Sequence, residues 1–337
     1  MKQRSVLASG FFTCFLAALA CLLGVLAIFS AAPSALAQAP YPNRPVRLII
    51  PFPPGGPTDV MGRLVAQHLS SVLGQQVIPD NRPGAGGTLA GRVVATAQPD
   101  GYTLLLCSSG ALAIGPALYP NIGYDPLKSF APIAMVSEVS YVMIAGPRAP
   151  FDDVRGVLAY AKAHPGKLNF GVPNGAQPHI LALAFNALTG ADIVVVPYKG
   201  ASNAMTDMMG GQIDGGFETT SVVFGHLKEH SLKALGVIRE RRMPELPDTP
   251  TMIESGVPDL KGASWTGVLA PLGTPQPIID KLRTEIIAGL KSPAMVDTFQ
   301  KLGAEAKFPT TSEFAAYIAD ENKRLAGIIR AAGVKAE

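Results

Sequence analysis

Cysteine is scarce in this chain. Of its 337 residues, three are cysteines: Cys14, Cys21 and Cys107. If the amino-terminal segment is removed as a signal peptide, only Cys107 remains, so no internal disulfide can form even in an oxidising compartment. Cys107 follows three consecutive leucines, and we expect it to be a small buried residue rather than a reactive thiol.

A large excess of charge of either sign is also missing. The formal net charge is +3, and loss of the first 37 residues, which carry Lys2 and Arg4 but no acid, lowers it to +1. Nucleic acid is not expected as a partner, because phosphate backbones are bound by clustered basic residues. With 48% apolar and 16% charged residues, the chain can form a sizeable core and has room for two domains.

A long apolar run occurs at the amino end of the chain. Lys2 and Arg4 precede an uncharged apolar stretch over residues 11–28, and small residues follow at 35–37. This pattern predicts a secretory signal peptide over residues 1–37, cut after Ala37, and hence a periplasmic protein. Two alternatives are an uncleaved membrane anchor and a lipoprotein signal cut before Cys21. Pro33 and the alanine-rich tail argue against the first, and the apolar residues after Cys21 argue against the second.

The familiar catalytic motifs are absent too. The chain has no Gly-x-Ser-x-Gly, no His-Glu-x-x-His and no phosphate loop ending in Gly-Lys-Ser/Thr. His226 and His230 fit the inverted zinc motif His-x-x-Glu-His, but a polar turn follows and no third ligand is evident. We therefore expect no metal, no cofactor and no catalysis. The alternatives are a secreted hydrolase or isomerase that uses His179 with Ser108 or Ser109, and a ligand-sensing partner of a signalling receptor.

The stretch around which the chain is organised is a glycine-rich turn at residues 51–59. An apolar run at 46–50 predicts a buried strand, and a helical pattern begins directly after the turn. Glycines allow close approach of the backbone to a ligand, and the first amides of the helix favour negative charge. Such a turn suits a carboxylate or a phosphate. The alternative is a plain turn that ends in a helix cap at Thr58.

Strand and helix patterns then alternate along the chain. They predict an α/β protein with two mostly parallel sheets flanked by helices, in which ligands lie beyond the carboxyl ends of the strands. Long strand patterns at 133–145 and 265–270 read as two crossings between lobes. We expect a discontinuous first lobe at 41–140 and 255–337 and a second lobe at 141–254. Such a two-lobed cleft with a hinge is the arrangement of bacterial solute receptors.

Several motifs, taken together and in order, resemble one known family. They are Phe-Pro-Pro-Gly-Gly-Pro-Thr-Asp at 52–59, Asn-Arg-Pro-Gly-Ala-Gly-Gly at 81–87, Pro-Asp-Gly-Tyr-Thr-Leu at 99–104, Pro-Tyr-Lys-Gly at 197–200 and Leu-Pro-Asp-Thr-Pro-Thr at 246–251. The chain is similar to the Bug family, the periplasmic solute receptors of tripartite tricarboxylate transporters, over residues 41–333. The resemblance implies a monomeric receptor of Venus-flytrap fold that closes over a small organic acid and presents it to a membrane permease.

The resemblance also implies where the ligand is held. The turn at 55–59 would hold a carboxylate through backbone groups and water, so specificity would rest on the second lobe. Lys199 and Arg82 are the cations placed in ligand-facing turns. Where the family usually has Phe-Asp-Asn, this chain has Phe217-Glu218-Thr219, which predicts an altered ligand unless Glu218 lies outside the pocket. The expected ligand contacts are Phe52, Gly55, Gly56, Thr58, Asp59, Gly86, Ser108, Ser109, Asn174, Gly175, His179, Tyr198, Lys199, Glu218 and Thr219.

Overall fold

The glycine-rich turn lies between the first described strand and helix. The computed structural model describes residues 41–55, 57–119, 121–174 and 176–333. The predicted signal peptide and two predicted ligand contacts, Gly56 and Gly175, lie outside the described residues. Among the described helices, none combines the length and the apolar content that a membrane span requires.

Two strand–helix units open the described chain, as the apolar periodicity predicts. The elements are β1 (Val46–Ile50), α1 (Pro57–Leu73), β2 (Val77–Asn81), α2 (Thr88–Ala95) and β3 (Thr103–Ser108). Strand β1 pairs in parallel with both β2 and β3. Because parallel strands point the same way, the turns that follow β1 and β3 lie at the same edge of the sheet.

One long strand runs through both halves of the fold. After β3, a π-helical turn (Gly110–Ile114) leads into α3 (Gly115–Leu118), and the chain then enters the 16-residue strand β4 (Phe130–Ala145). Its amino-terminal part pairs with β9 (Ala263–Pro271) from Phe130 to Ser140, and its last five residues pair with β7 (Gly215–Thr219). Strand β4 therefore runs through both parts of the sheet.

The second half repeats the strand–helix alternation, and its elements are α4 (Val154–Ala163), β5 (Asn169–Pro173), α5 (Gln177–Thr189), β6 (Val194–Tyr198), α6 (Ala201–Gly210), β7 (Gly215–Thr219), α7 (Thr220–Lys228) and β8 (Lys233–Val237). Asp153 caps α4 by accepting a hydrogen bond from the Gly156 amide at 2.7 Å. Gly190 ends α5 in the left-handed conformation, which glycine favours.

Three helices and one short strand complete the described chain. They are α8 (Gln276–Leu290), α9 (Pro293–Lys301), β10 (Ala304–Ala306) and α10 (Thr311–Ala332). Helix α10 begins with a capping box: the Thr310 hydroxyl accepts from the Glu313 amide, and the Glu313 carboxylate accepts from the Thr310 amide. Strand β10 pairs with β4 and has no counterpart among the sequence predictions.

The strand order is β2-β1-β3-β9-β4-β7-β5-β6, with β8 and β10 also paired to β4. We call β1, β2, β3, β9, β10 and residues 130–140 of β4 the first section, and β5 to β8 with residues 141–145 the second section.

The expectation of mostly parallel sheets needs correction. Among the described strands, every pairing of β4 and β9 is antiparallel, so each section is mixed. The α/β architecture itself agrees with the prediction.

Each section has its own hydrophobic core. In the first, Trp265 packs edge-on against Phe314 and Tyr317. In the second, Phe217 packs against Phe170 and Phe185, with ring centroids 6.1 Å apart in both pairs. Cys107 is fully buried, and burial raises the pKa of its thiol well above the usual value.

Candidate functional site

A cavity of about 1010 Å³ lies between the two sections. Residues at or just beyond the carboxyl ends of β1, β3, β5, β6 and β7 line it, which is where an α/β sheet places its ligands. Ten of the residues predicted to contact a ligand are among those that line this cavity: Phe52, Thr58, Gly86, Ser108, Ser109, Asn174, Tyr198, Lys199, Glu218 and Thr219. Their contact with a ligand stays a prediction.

Helix starts are concentrated around this cavity. Helices α1, α5, α6 and α7 each begin within a few residues of a lining position: Thr58, Gln177, Ala201 and Thr219 respectively. Helix α1 begins at Pro57, so Thr58 lies inside the helix rather than at its cap. Because the first amides of a helix have no carbonyl partner within it, these helix starts place donors and positive dipole ends at one cavity. The arrangement favours an anionic ligand.

Asp59, a predicted ligand contact, does not line the cavity. Its carboxylate is buried and accepts hydrogen bonds from the Gly55 amide at 2.9 Å, from Arg63 at 2.8 Å and from the Asn81 side chain at 2.8 Å. Asn81 also donates to the carbonyl of Phe52. The Arg63 hydrogen bond, supported by the other donors, lowers the pKa of Asp59 to about 2. Asp59 therefore holds the shape of the turn. Its carboxylate accepts the hydrogen bond of the Gly55 amide, which was predicted to bind the ligand.

The second glycine-rich turn meets the end of β3 without intervening side chains. Gly86 and Gly87 have φ values of 64° and 96°, which favour glycine. A Cβ atom on Gly110 would lie 2.7 Å from the Gly86 carbonyl oxygen and 3.3 Å from the Phe52 ring. Glycine at these positions lets three loops meet at the cavity wall.

A hydrogen bond between two residues that line the cavity joins the two sections. The Ser109 hydroxyl, which follows β3, donates to Gln177 Oε1 at the start of α5 over 2.8 Å. Both side chains are buried. Sequence reasoning placed Ser109 at the site but did not identify Gln177. Gln177 could have been predicted as a site residue, because it starts a helix after a ligand-facing turn. Its hydrogen bond to Ser109 could not, because the two residues are 68 positions apart.

The wall on the β7 side carries a buried carboxylate. Glu218 lines the cavity with 8% of its surface exposed. Its pKa is raised by burial, although hydrogen bonds from Thr219 oppose the shift. Tyr141 and Ser264 lie on the same cavity, and burial raises the pKa of the Tyr141 phenol. Sequence analysis missed both, because each is an ordinary strand residue whose neighbours are set by strand pairing.

The predicted cations and histidines fall in different environments. Lys199 lines the cavity and is exposed. Arg82 does not line it, because its guanidinium pairs with Asp80 at 2.9 Å. His179 is half-buried, outside the cavity lining, and burial lowers its pKa. His226 lies 3.1 Å from the Ser231 hydroxyl, and within the described ranges no three acidic, His or Cys side chains are arranged to hold a metal ion.

Comparison with known proteins agrees with this geometry. The profile of the family described as "Tripartite tricarboxylate transporter family receptor" matches residues 61–334. The chain belongs to this family. It is 40% identical over 319 residues to the protein BugT of Bordetella pertussis, a match that covers 93% of this chain and 98% of BugT. Members of the family are solute-binding receptors rather than enzymes, and this chain is such a receptor.

Two solved structures of family receptors contain a carboxylate. The Rhodopseudomonas palustris protein Rpa4515, described with adipate, has a TM-score of 0.75 and 32% identity, covering 88% of this chain and 99% of its own. MatC from the same species, described with bound malate, has a TM-score of 0.72 and 32% identity, covering 86% and 100%. These similarities confirm the two-lobed α/β receptor fold.

Proposed function

We propose that this protein is a periplasmic receptor that captures a small carboxylate in the cavity and delivers it to a tripartite tricarboxylate-type permease. The observation that carries the proposal is the convergence of four helix starts on one cavity. Receptors about one-third identical to this chain are described with adipate and with malate. Export would use the predicted signal peptide at residues 1–37.

In this proposal the first lobe spans residues 41–140 and 255–337, and the second spans 141–254. The pairing of β4 in both sections supports this division. A ligand that contacts both walls is bound fully only when the walls are close together, so its binding energy favours the closed arrangement. The Ser109–Gln177 hydrogen bond is one contact that such closure would form.

The proposal is tested by measuring thermal unfolding of the chain from residue 38 onward against a library of small organic acids. A ligand at one hundred times its Kd adds about 2.7 kcal/mol to the free energy of unfolding, and the acid should be recovered unchanged. Native mass spectrometry of the purified protein should show a retained acid. Consumption of the acid, or stabilisation by no acid in the library, would contradict the proposal.

A matched pair of variants ties the ligand to the cavity. Ala201 lines the cavity at the start of α6, so A201F should abolish ligand-induced stabilisation by filling the space. Ala315, exposed on α10, serves as the control, and A315F should leave it intact. Delivery is tested separately, because deletion of the gene should abolish uptake of the labelled acid.

A further inference from the structure

Glu218 is a buried carboxylate without a cationic partner. It is the fourth residue of β7 and lines the cavity. One of its oxygens, Oε1, accepts from the Thr219 amide at 2.8 Å and from the Thr219 hydroxyl at 3.3 Å. In the described part of the chain, no Lys or Arg pairs with it and no hydrogen bond reaches Oε2. Its neighbours therefore leave the charge uncompensated.

An uncompensated carboxylate is costly to bury. Removing such a charge from water is unfavourable unless an opposite charge or several hydrogen bonds replace the lost hydration. Two groups beside Glu218 in the β4–β7 pairing, Tyr141 and Thr219, are neutral and do not supply a charge. Lys199 lies on the same cavity but is exposed and forms no ion pair with Glu218 among the described residues. A ligand group at this position would supply the partner that these residues do not.

The rest of the wall limits what else the ligand carries. Apolar side chains also line the cavity, namely those of Phe52, Ile114, Leu118 and Val222. A ligand that extends from the start of α1 to Glu218 spans a cavity that these apolar side chains line in part. It therefore has an anionic end, a hydrocarbon middle and a second end that faces a carboxylate.

We propose that Glu218 selects ligands whose second end is a hydrogen-bond donor, an ammonium or a hydroxyl group, so that the receptor prefers amino or hydroxy carboxylates to dicarboxylates. This inference rests on the proposed function. A donor at this position satisfies Oε2, and an ammonium also neutralises the charge. A second carboxylate would face Glu218 with the same sign of charge and no donor.

The test uses straight-chain carboxylates of graded length with four end groups: methyl, hydroxyl, ammonium and carboxylate. Caproate, ε-hydroxycaproate, ε-aminocaproate and adipate form one such set of equal length. Calorimetric titration at neutral pH should show a donor-ended acid binding at least tenfold more tightly than the methyl-ended and carboxylate-ended acids of the same length. The hydroxyl and ammonium arms show which donor the site takes.

Glu218→Gln preserves the shape of the side chain and removes its charge. We expect this variant to lose at least tenfold in affinity for the ammonium-ended acid and to bind the dicarboxylate more tightly. The control is Glu321→Gln, which removes a similarly buried carboxylate from α10, outside the cavity lining, and should leave the preference unchanged. Thermal unfolding of both variants verifies that they are folded.

Two results would overturn the inference in different ways. If the wild-type protein binds dicarboxylates at least as tightly as donor-ended acids, or if E218Q keeps the wild-type preference, Glu218 does not select the ligand, although the receptor function stands. If no acid of any length or end group binds, the proposed function fails and this inference fails with it.

Discussion

Replacement of Asp59 by asparagine should destabilise the protein at neutral pH and remove part of its sensitivity to acid. The pKa of Asp59 is lowered from 3.8 to about 2 in the folded protein. At about 1.4 kcal/mol for each pKa unit, this corresponds to about 2.5 kcal/mol of folding free energy, which solvent screening at the half-exposed Arg63 reduces to about 2 kcal/mol. Because the folded pKa lies below the unfolded one, the contribution is complete above about pH 5 and is lost as the pH falls from 4 toward 2.

Urea unfolding followed by circular dichroism measures this effect. At pH 7, D59N should lower the free energy of unfolding by about 2 kcal/mol, and the difference between wild type and variant should shrink by pH 3. The control is Asp297→Asn. Asp297 also pairs with a basic residue four positions later, Lys301 at 2.7 Å, but both side chains are mostly exposed, so the loss should stay below about 0.5 kcal/mol.

The reasoning would be refuted by either of two results. One is a D59N variant no less stable at pH 7 than D297N. The other is a difference between wild type and D59N that does not change between pH 7 and pH 3. Ligand titration of D59N adds an independent readout, because loss of the Asp59 hydrogen bonds releases the Gly55 amide and loosens the turn. We expect weaker carboxylate binding.

Three further experiments have expected outcomes. Gln177→Ala and Ser109→Ala should each weaken ligand binding about fivefold by removing the hydrogen bond between the sections, and calorimetry of the double variant should show no additional loss if the two act as a pair. Thr310→Ala should cost about 1 kcal/mol in urea unfolding through loss of the α10 cap, and an unchanged unfolding midpoint would contradict the capping role. A thiol reagent should label Cys107 in denaturant only, because the side chain is fully buried; rapid labelling of the folded protein would show that the thiol is accessible.

Local elements were largely predictable because their signals are local. The apolar run that forms β1 is bounded by a proline, and the helix α5 ends at Gly190 in the left-handed conformation that glycine favours. Asp153 precedes α4 and caps it, because a short acidic side chain can accept from the first free amides. In each case the residue and the structure it forms lie within a few positions of each other.

Strand direction was not predictable in the same way. The patterns of β4 and β9 read as strands, but their antiparallel pairing joins segments more than a hundred residues apart. Alternating strands and helices favour parallel sheets. The long strands β4 and β9 run antiparallel to the strands they pair with, so the sheet is mixed. Nothing local in either strand specifies its partner.

The features of the site also differ in whether local sequence or tertiary packing determines them. Sequence by itself determined that glycine-rich and hydroxyl-bearing turns follow successive strands, because composition and spacing set turns and helix starts. Ten of the residues predicted from these turns line one cavity. Only the tertiary structure decided that Asp59 faces the Gly55 amide, that Ser109 meets Gln177 and that Glu218 is buried without a cation. The direction of a side chain depends on neighbours brought together by packing, and such neighbours are separated in the sequence by distances over which no periodicity extends.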